Sequence, residues 1–286
     1  MKKLIVSIVF ASAILSVTVE AKTPKKEAVK AFLDSKTKVV LEEANISYNA
    51  EIKKAVEKYW EITDYEFISY DEFKEQMDNP DLSFLITTQT RFDKDKKPVE
   101  YTFLNLVMGK TGATLTSMPE LVSLPISYAD EHEVDHYYVL PVMIRFFQNH
   151  IQNLQEHRFG IALRKLKYYH KNLPDIRKKK ELWLEKASLA PSVDKAAEIE
   201  DIYAHDYEIV ERSQIEKAIQ EQKEDVVFLH KVGPRNEKGW IGRCYKMIFG
   251  TENGKLYFYK YHTISDKHPD GFLPKDFKRL KRFSLF

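Results

Sequence analysis

The sequence predicts an α/β (α+β) chain of two tandem duplicated β-α-β-α-β-β domains, each a small mixed sheet with helices packed on it. Three observations predict this. Asp64-Tyr65-Glu66-Phe67-Ile68 returns as Asp206-Tyr207-Glu208-Ile209-Val210 with matching surroundings. Six segments correspond in the same order at an offset of about 143 residues, which marks tandem units. Within each copy, short strand-like apolar runs alternate with segments of helical spacing.

Met1 to Ala21 reads as an export signal: Lys2 and Lys3 open it, an apolar run follows from Leu4 to Val17, and Val19-Glu20-Ala21 suits a cleavage site. The run is shorter than the roughly 20 residues that span a bilayer. No cysteine follows it to accept a lipid anchor, so the expected product starts at Lys22 and is periplasmic or secreted. Of the 286 residues about 265 would remain, enough for two domains with real cores. The precursor carries +2, and losing Lys2, Lys3 and Glu20 leaves about +1 (+2 − 2 + 1). Such a balance excludes a general attraction to nucleic acid.

Lys22 to Thr37 is lysine-rich with weak periodicity and reads as a leader (22–37). Lys38 to Ile46 reads as the first strand, and Glu51 to Trp60 as a helix with Ile52, Ala55, Val56, Tyr59 and Trp60 on one face. Tyr65 to Ser69 is a strand. Asp71 to Met77 is a short helix with acids in its first turn, stopped by Asn79-Pro80. Leu82 to Thr88 and Val99 to Met108 form the closing hairpin. Leu140-Pro141 then starts an apolar helix that completes a first repeat over 38–160.

Residues 161–180 read as a basic linker broken at Asn172-Leu173-Pro174, its lysines a solvated face and its Tyr168, Tyr169 and His170 leaving an anion site open. The second repeat, 181–286, aligns Trp183-Leu184 with Val40-Leu41 and a helix over Asp194 to Tyr203 with the first helix. Ser213 is placed to cap the next helix. Val226 to Leu229 answers Leu82 to Leu85, Cys244 to Phe249 answers Phe103 to Met108, and Leu273-Pro274 precedes a last helix through Phe283.

The strings YEFISYDEF and YEIVERSQI, followed by DLSFLI and DVVFLH, resemble the core of the amino-terminal domain of the Tol translocation protein TolB and of the periplasmic domains of CsgG-like outer-membrane accessory proteins. The resemblance covers the core of each copy and implies a binding and assembly module, with no catalytic residues to carry over. The chain lacks their β-propeller, lipid-anchor cysteine and pore segment.

Chemistry is sparse. His132-Glu133-Val134-Asp135-His136 has the H-E-x-x-H form, in which two imidazoles on one helix face hold zinc and the glutamate activates water. Asp135 is charged where that motif takes a neutral residue, and no third ligand stands out. A zinc-dependent hydrolase using His132 and His136 is therefore the alternative function, and no cofactor is expected. Cys244, the one cysteine, alternates in a strand-like run and reads as a buried small hydrophobe. Tyr257, Tyr259 and Tyr261 would share one strand face, as ordinary sheet packing or as an exposed platform for a glycan or peptide. That strand could also serve as a dimerising edge. The hairpin loops Arg91 to Pro98 and Lys231 to Gly242 offer Lys96, Arg235 and Trp240 as partner-binding candidates. The leading expectation is a non-enzymatic envelope protein that recognises a protein, peptide or glycan.

Overall fold

The computed structural model describes residues 24–92, 99–128, 133–234 and 242–282. The segment read as an export signal, Met1 to Ala21, lies outside them, as does Phe283. The first unit runs α1 (Lys26–Leu33), β1 (Lys36–Val40), α2 (Ile46–Tyr59), β2 (Tyr65–Ile68), α3 (Tyr70–Gln76), β3 (Leu82–Arg91), β4 (Glu100–Met108) and β5 (Glu120–Tyr128). A 3-10 segment (Glu133–Val139), the long α4 (Leu140–Arg164), a second 3-10 segment (Lys165–Asn172) and α5 (Leu173–Lys179) follow. The second unit runs β6 (Glu181–Leu184), α6 (Ala196–Glu200), β7 (Tyr207–Ile209), α7 (Arg212–Gln220), β8 (Val226–Val232), β9 (Arg243–Gly250), β10 (Leu256–Thr263) and α8 (Pro274–Arg282).

Each unit forms one mixed five-stranded sheet, and the two orders are the same: β2-β1-β3-β4-β5 and β7-β6-β8-β9-β10. In each, the first strand lies parallel between its two neighbours, and the last three are antiparallel. Thr37 pairs with Tyr65 and Ser83, while Leu182 pairs with Tyr207 and Val227. The repeated Asp-Tyr-Glu string therefore occupies equivalent register in both sheets. Pairing also makes Trp183 the counterpart of Lys38 rather than Val40, because Lys38 faces Glu66 and Trp183 faces Glu208. A slip of two residues preserves which face a side chain takes, so apolar pattern alone does not detect it.

Each sheet has one strand more than the expected unit. In the first, that strand is β5, where Pro125 interrupts the alternation beside a register shift against β4. Proline is tolerated there because β5 is an edge. Several segments are helical where strand, leader or linker was expected. Ile46 starts α2 instead of ending a strand, since the Asn45 side chain accepts the Tyr48 N–H and caps the helix. The segment read as a leader contains α1, which buries Val29 and sets Phe32 edge-on to Trp60. Residues 161–180 are packed structure with Ile161, Tyr169, Leu173 and Ile176 buried. In the second unit, α7 is capped by Glu211 with Gln214, not by Ser213, and α6 is only five residues long with no side-chain cap at Lys195.

Helices cover both faces of the sheets. A central core joins α1, α2 and the facing side of the first sheet to α4, α7 and one side of the second sheet. Two smaller cores lie outside it, one under α3 and one between the second sheet and α5, α6 and α8. The repeats thus meet through non-equivalent faces: α2 in the first unit and α7 in the second share the centre, although α7 corresponds to α3. Arg145 of α4 fixes the join. Its guanidinium donates to Glu252 O and Thr251 O in the β9–β10 turn and lies over the Tyr59 ring.

Candidate functional site

The two hairpins expected to carry binding loops rise from stems that touch. In β4, Tyr101 and Phe103 are two residues apart and share a face; in β9, so do Arg243 and Tyr245. The Tyr101 hydroxyl donates to Arg243 O at 2.9 Å and accepts the Arg243 N–H, tying one stem to the other. Gly242 permits the approach, since a Cβ there would lie 2.6 Å from the Tyr101 hydroxyl.

Around this tie the rings form a continuous cluster. The Tyr245 ring lies 5.4 Å from Tyr101, 5.8 Å from Phe103 and 5.4 Å from Tyr261. The Arg243 guanidinium sits 3.5 Å from the Phe92 centroid and 5.5 Å from that of Tyr261. Arg91 and Glu100 pair at 2.6 Å at the base of the first hairpin. Tyr261 is 47% exposed, and Phe103, Tyr259 and Arg243 are partly so. Aromatic faces beside an oriented guanidinium suit stacking on sugar rings or on an extended peptide.

The tyrosine strand contributes only in part. A bulge between Leu256 and Phe258 turns Tyr257 into the outer core of the second unit, opposite Tyr259 and Tyr261. Nor is the β10 edge bare along its first half: Asn172 donates to Leu256 O at 2.8 Å, and His170 Nε2 meets Tyr259 N and O while its ring stacks 5.0 Å from Phe258. That cover removes backbone groups a dimerising edge would need. Lys96, Arg235 and Trp240 lie outside the described residues.

His132 also lies outside them. His136 is buried in a 3-10 segment, its ring 6.0 Å from Tyr128 and 5.8 Å from His230. Among the described residues, no group of three or more histidine, cysteine or acidic side chains is placed to hold a metal ion. His230 has a structural part. Its Nε2 donates to Ile126 O at 2.9 Å, so Nδ1 accepts from the Tyr138 hydroxyl at 3.0 Å, and burial lowers its pKa to about 3. Arg212 lies over Tyr138 and pairs with Glu185 at 2.7 Å, completing a polar joint between the units.

Sequence reading missed a second polar group, inside the second unit. Lys231 and Lys246 are cross-strand partners, both buried. Asp270 neutralises the first and Asp276 the second. Lys246 Nζ also donates to His262 Nδ1 at 2.9 Å, and Asp276 accepts the Leu273 N–H at 3.1 Å. The signal was present as parity: Lys231 follows Val227 and Leu229 at spacing two, and Lys246 lies between Cys244 and Ile248. Cys244 itself is buried, its sulfur accepting the Gly271 N–H, and burial pushes its thiol pKa up. An open cleft of about 760 Å³ lies elsewhere, in the first unit between Leu33–Lys36 and Trp60–Tyr65. The hydroxyls of Ser35, Thr37, Thr63 and Ser83 beside it satisfy one another. No protein-family model matches the chain, and no curated protein or solved structure matches it either.

Proposed function

We propose that the chain is an exported, non-enzymatic binding and assembly protein of the bacterial cell envelope, recognising an extended peptide or glycan across the seam between its two units. One observation carries this reading: hairpin stems from separate units meet in a cluster in which buried Tyr101 and Tyr245 support the partly exposed Phe103, Tyr259, Tyr261 and Arg243. The common core and the Arg145 clamp hold the stems in fixed relation, which lowers the entropy cost of binding. The TolB and CsgG-like resemblance and the export segment favour the envelope.

The test is calorimetric titration of the purified protein with soluble peptidoglycan fragments and a panel of extended peptides. Binding by one probe class is expected, weakened at least about tenfold by Tyr261→Ala or Arg243→Ala. Binding untouched by both substitutions would place recognition away from the seam.

A further inference from the structure

The carboxyl end of α4 carries an apolar pair that nothing in the core uses. Phe159 and Leu163 are 77% and 69% exposed, and a spacing of four puts them on one helix face. Cations follow them closely in the chain. Arg164, Lys165 and Lys167 are exposed, and the partly exposed Arg158 donates through Nε to Pro24 O. Glu156 lies 3.5 Å from His157, and Glu27 stands in the first turn of α1, whose approach Arg158 holds through Pro24 O.

The fold gathers these charges. Lys165 takes a left-handed φ of 52° and ends α4, so the following 3-10 segment turns back along the helix. Tyr168 then packs against Gly160, 3.0 Å from where a Cβ would stand, with its ring 6.2 Å from His157. Lys167, the preceding residue, is thereby held beside the same helix end. Isolated exposed apolar residues are ordinary. Two on one face, with exposed cations at the same helix end, match the layered chemistry of an anionic bilayer surface, with acyl chains below and phosphates above.

We infer that this helix end docks the protein peripherally on anionic phospholipid, Phe159 and Leu163 entering the headgroup boundary and Arg164, Lys165 and Lys167 meeting lipid phosphates. The exposed leucine and phenylalanine favour lipid over nucleic acid, whose phosphates would need only the cations. The inference is independent of the aromatic seam.

Co-sedimentation of the purified protein with phosphatidylglycerol/phosphatidylcholine vesicles tests it. All variants share one amino terminus, so its apolar run contributes equally to each. Binding is expected to anionic vesicles, to fall in high salt, and to be weaker on pure phosphatidylcholine. Replacing Arg164, Lys165 and Lys167 by glutamine should cost about fivefold per charge, about a hundredfold together. Phe159→Ser with Leu163→Ser should cost at least about tenfold. Should the serine variant fold poorly, Phe159→Trp reports insertion as a blue shift in emission on anionic vesicles. Binding unchanged by both sets of substitutions, or no blue shift, would overturn the inference. So would a glutamine variant that loses binding to duplex DNA while the serine variant keeps its lipid affinity, or a serine variant that converts a dimer to a monomer in sedimentation.

Discussion

Removing Asp276 should destabilise the protein severely, by an amount the geometry sets. Lys246 and Asp276 side chains are both 0% exposed. Asp276→Ala would leave a buried ammonium with only His262 Nδ1 at 2.9 Å, and breaking a buried pair this way costs about 3–5 kcal/mol. The Leu273 N–H would lose its acceptor as well, adding about 1 kcal/mol. Arg279, 3.4 Å away and half exposed, contributes little. Lys246→Met should cost less, because Asp276 keeps the Leu273 N–H and Arg279. The double variant Lys246→Met/Asp276→Ala removes both charges and should be more stable than Asp276→Ala alone. Urea unfolding reads this as shifts in midpoint at constant slope, with a coupling of about 2 kcal/mol or more in the cycle. A loss below about 1 kcal/mol for Asp276→Ala, or additive single variants, would refute the premise that this pair is dehydrated.

Burial lowers His230 to a pKa of about 3 and His150 to about 4, against about 6.5 in the unfolded chain. The unfolded state therefore binds more protons below about pH 6.5, so stability is full above that value and declines as pH falls, by about 1.4 kcal/mol per unit for each histidine. His230→Gln should flatten the slope between about pH 4 and 6 by that amount, as read from chemical unfolding. Gly254→Ala should lower the melting temperature by about 5 °C or more, because φ is +68° and the new Cβ would lie 2.6 Å from Val142 O. Gly112→Ala, at φ +66° with nothing within 4 Å, should cost only about 1 kcal/mol and serves as its control. Arg145→Met should speed hydrogen exchange across residues 250–256 by freeing the turn that Thr251 O and Glu252 O anchor to α4.

The repeat was legible because its strongest signals are local. Tyr65 and Tyr207 start equivalent strands, and Ser69 with Glu72 forms the capping box of the short helix expected at that point. Features set by neighbours distant in sequence were not legible. Tyr257 changes face through a bulge against β9, α1 is held by burial of Val29 and Phe32, and the basic strip is packed because it covers β10. For the seam, sequence singled out the two loops and the tyrosine strand. It could not show that Phe92 of one unit meets Arg243 of the other, since 151 residues separate them. The buried lysines were overlooked because a charged residue in a strand is ordinarily read as an edge or a solvent face. Here the carboxylates that reverse that reading arrive from the loop and helix beyond β10.

The placement of α4 bears on how the chain is made. Its residues Phe146 and Ile151 belong to a core completed by Phe228 and Phe249, and Phe146 lies 6.0 Å from the Phe249 ring. A nascent polypeptide that has emerged only as far as Lys180 holds every strand of its first sheet yet leaves that helix with one wall missing. That wall closes only when β8 and β9 bring Phe228 and Phe249 against it, so truncation after Lys180 should leave an aggregation-prone apolar face.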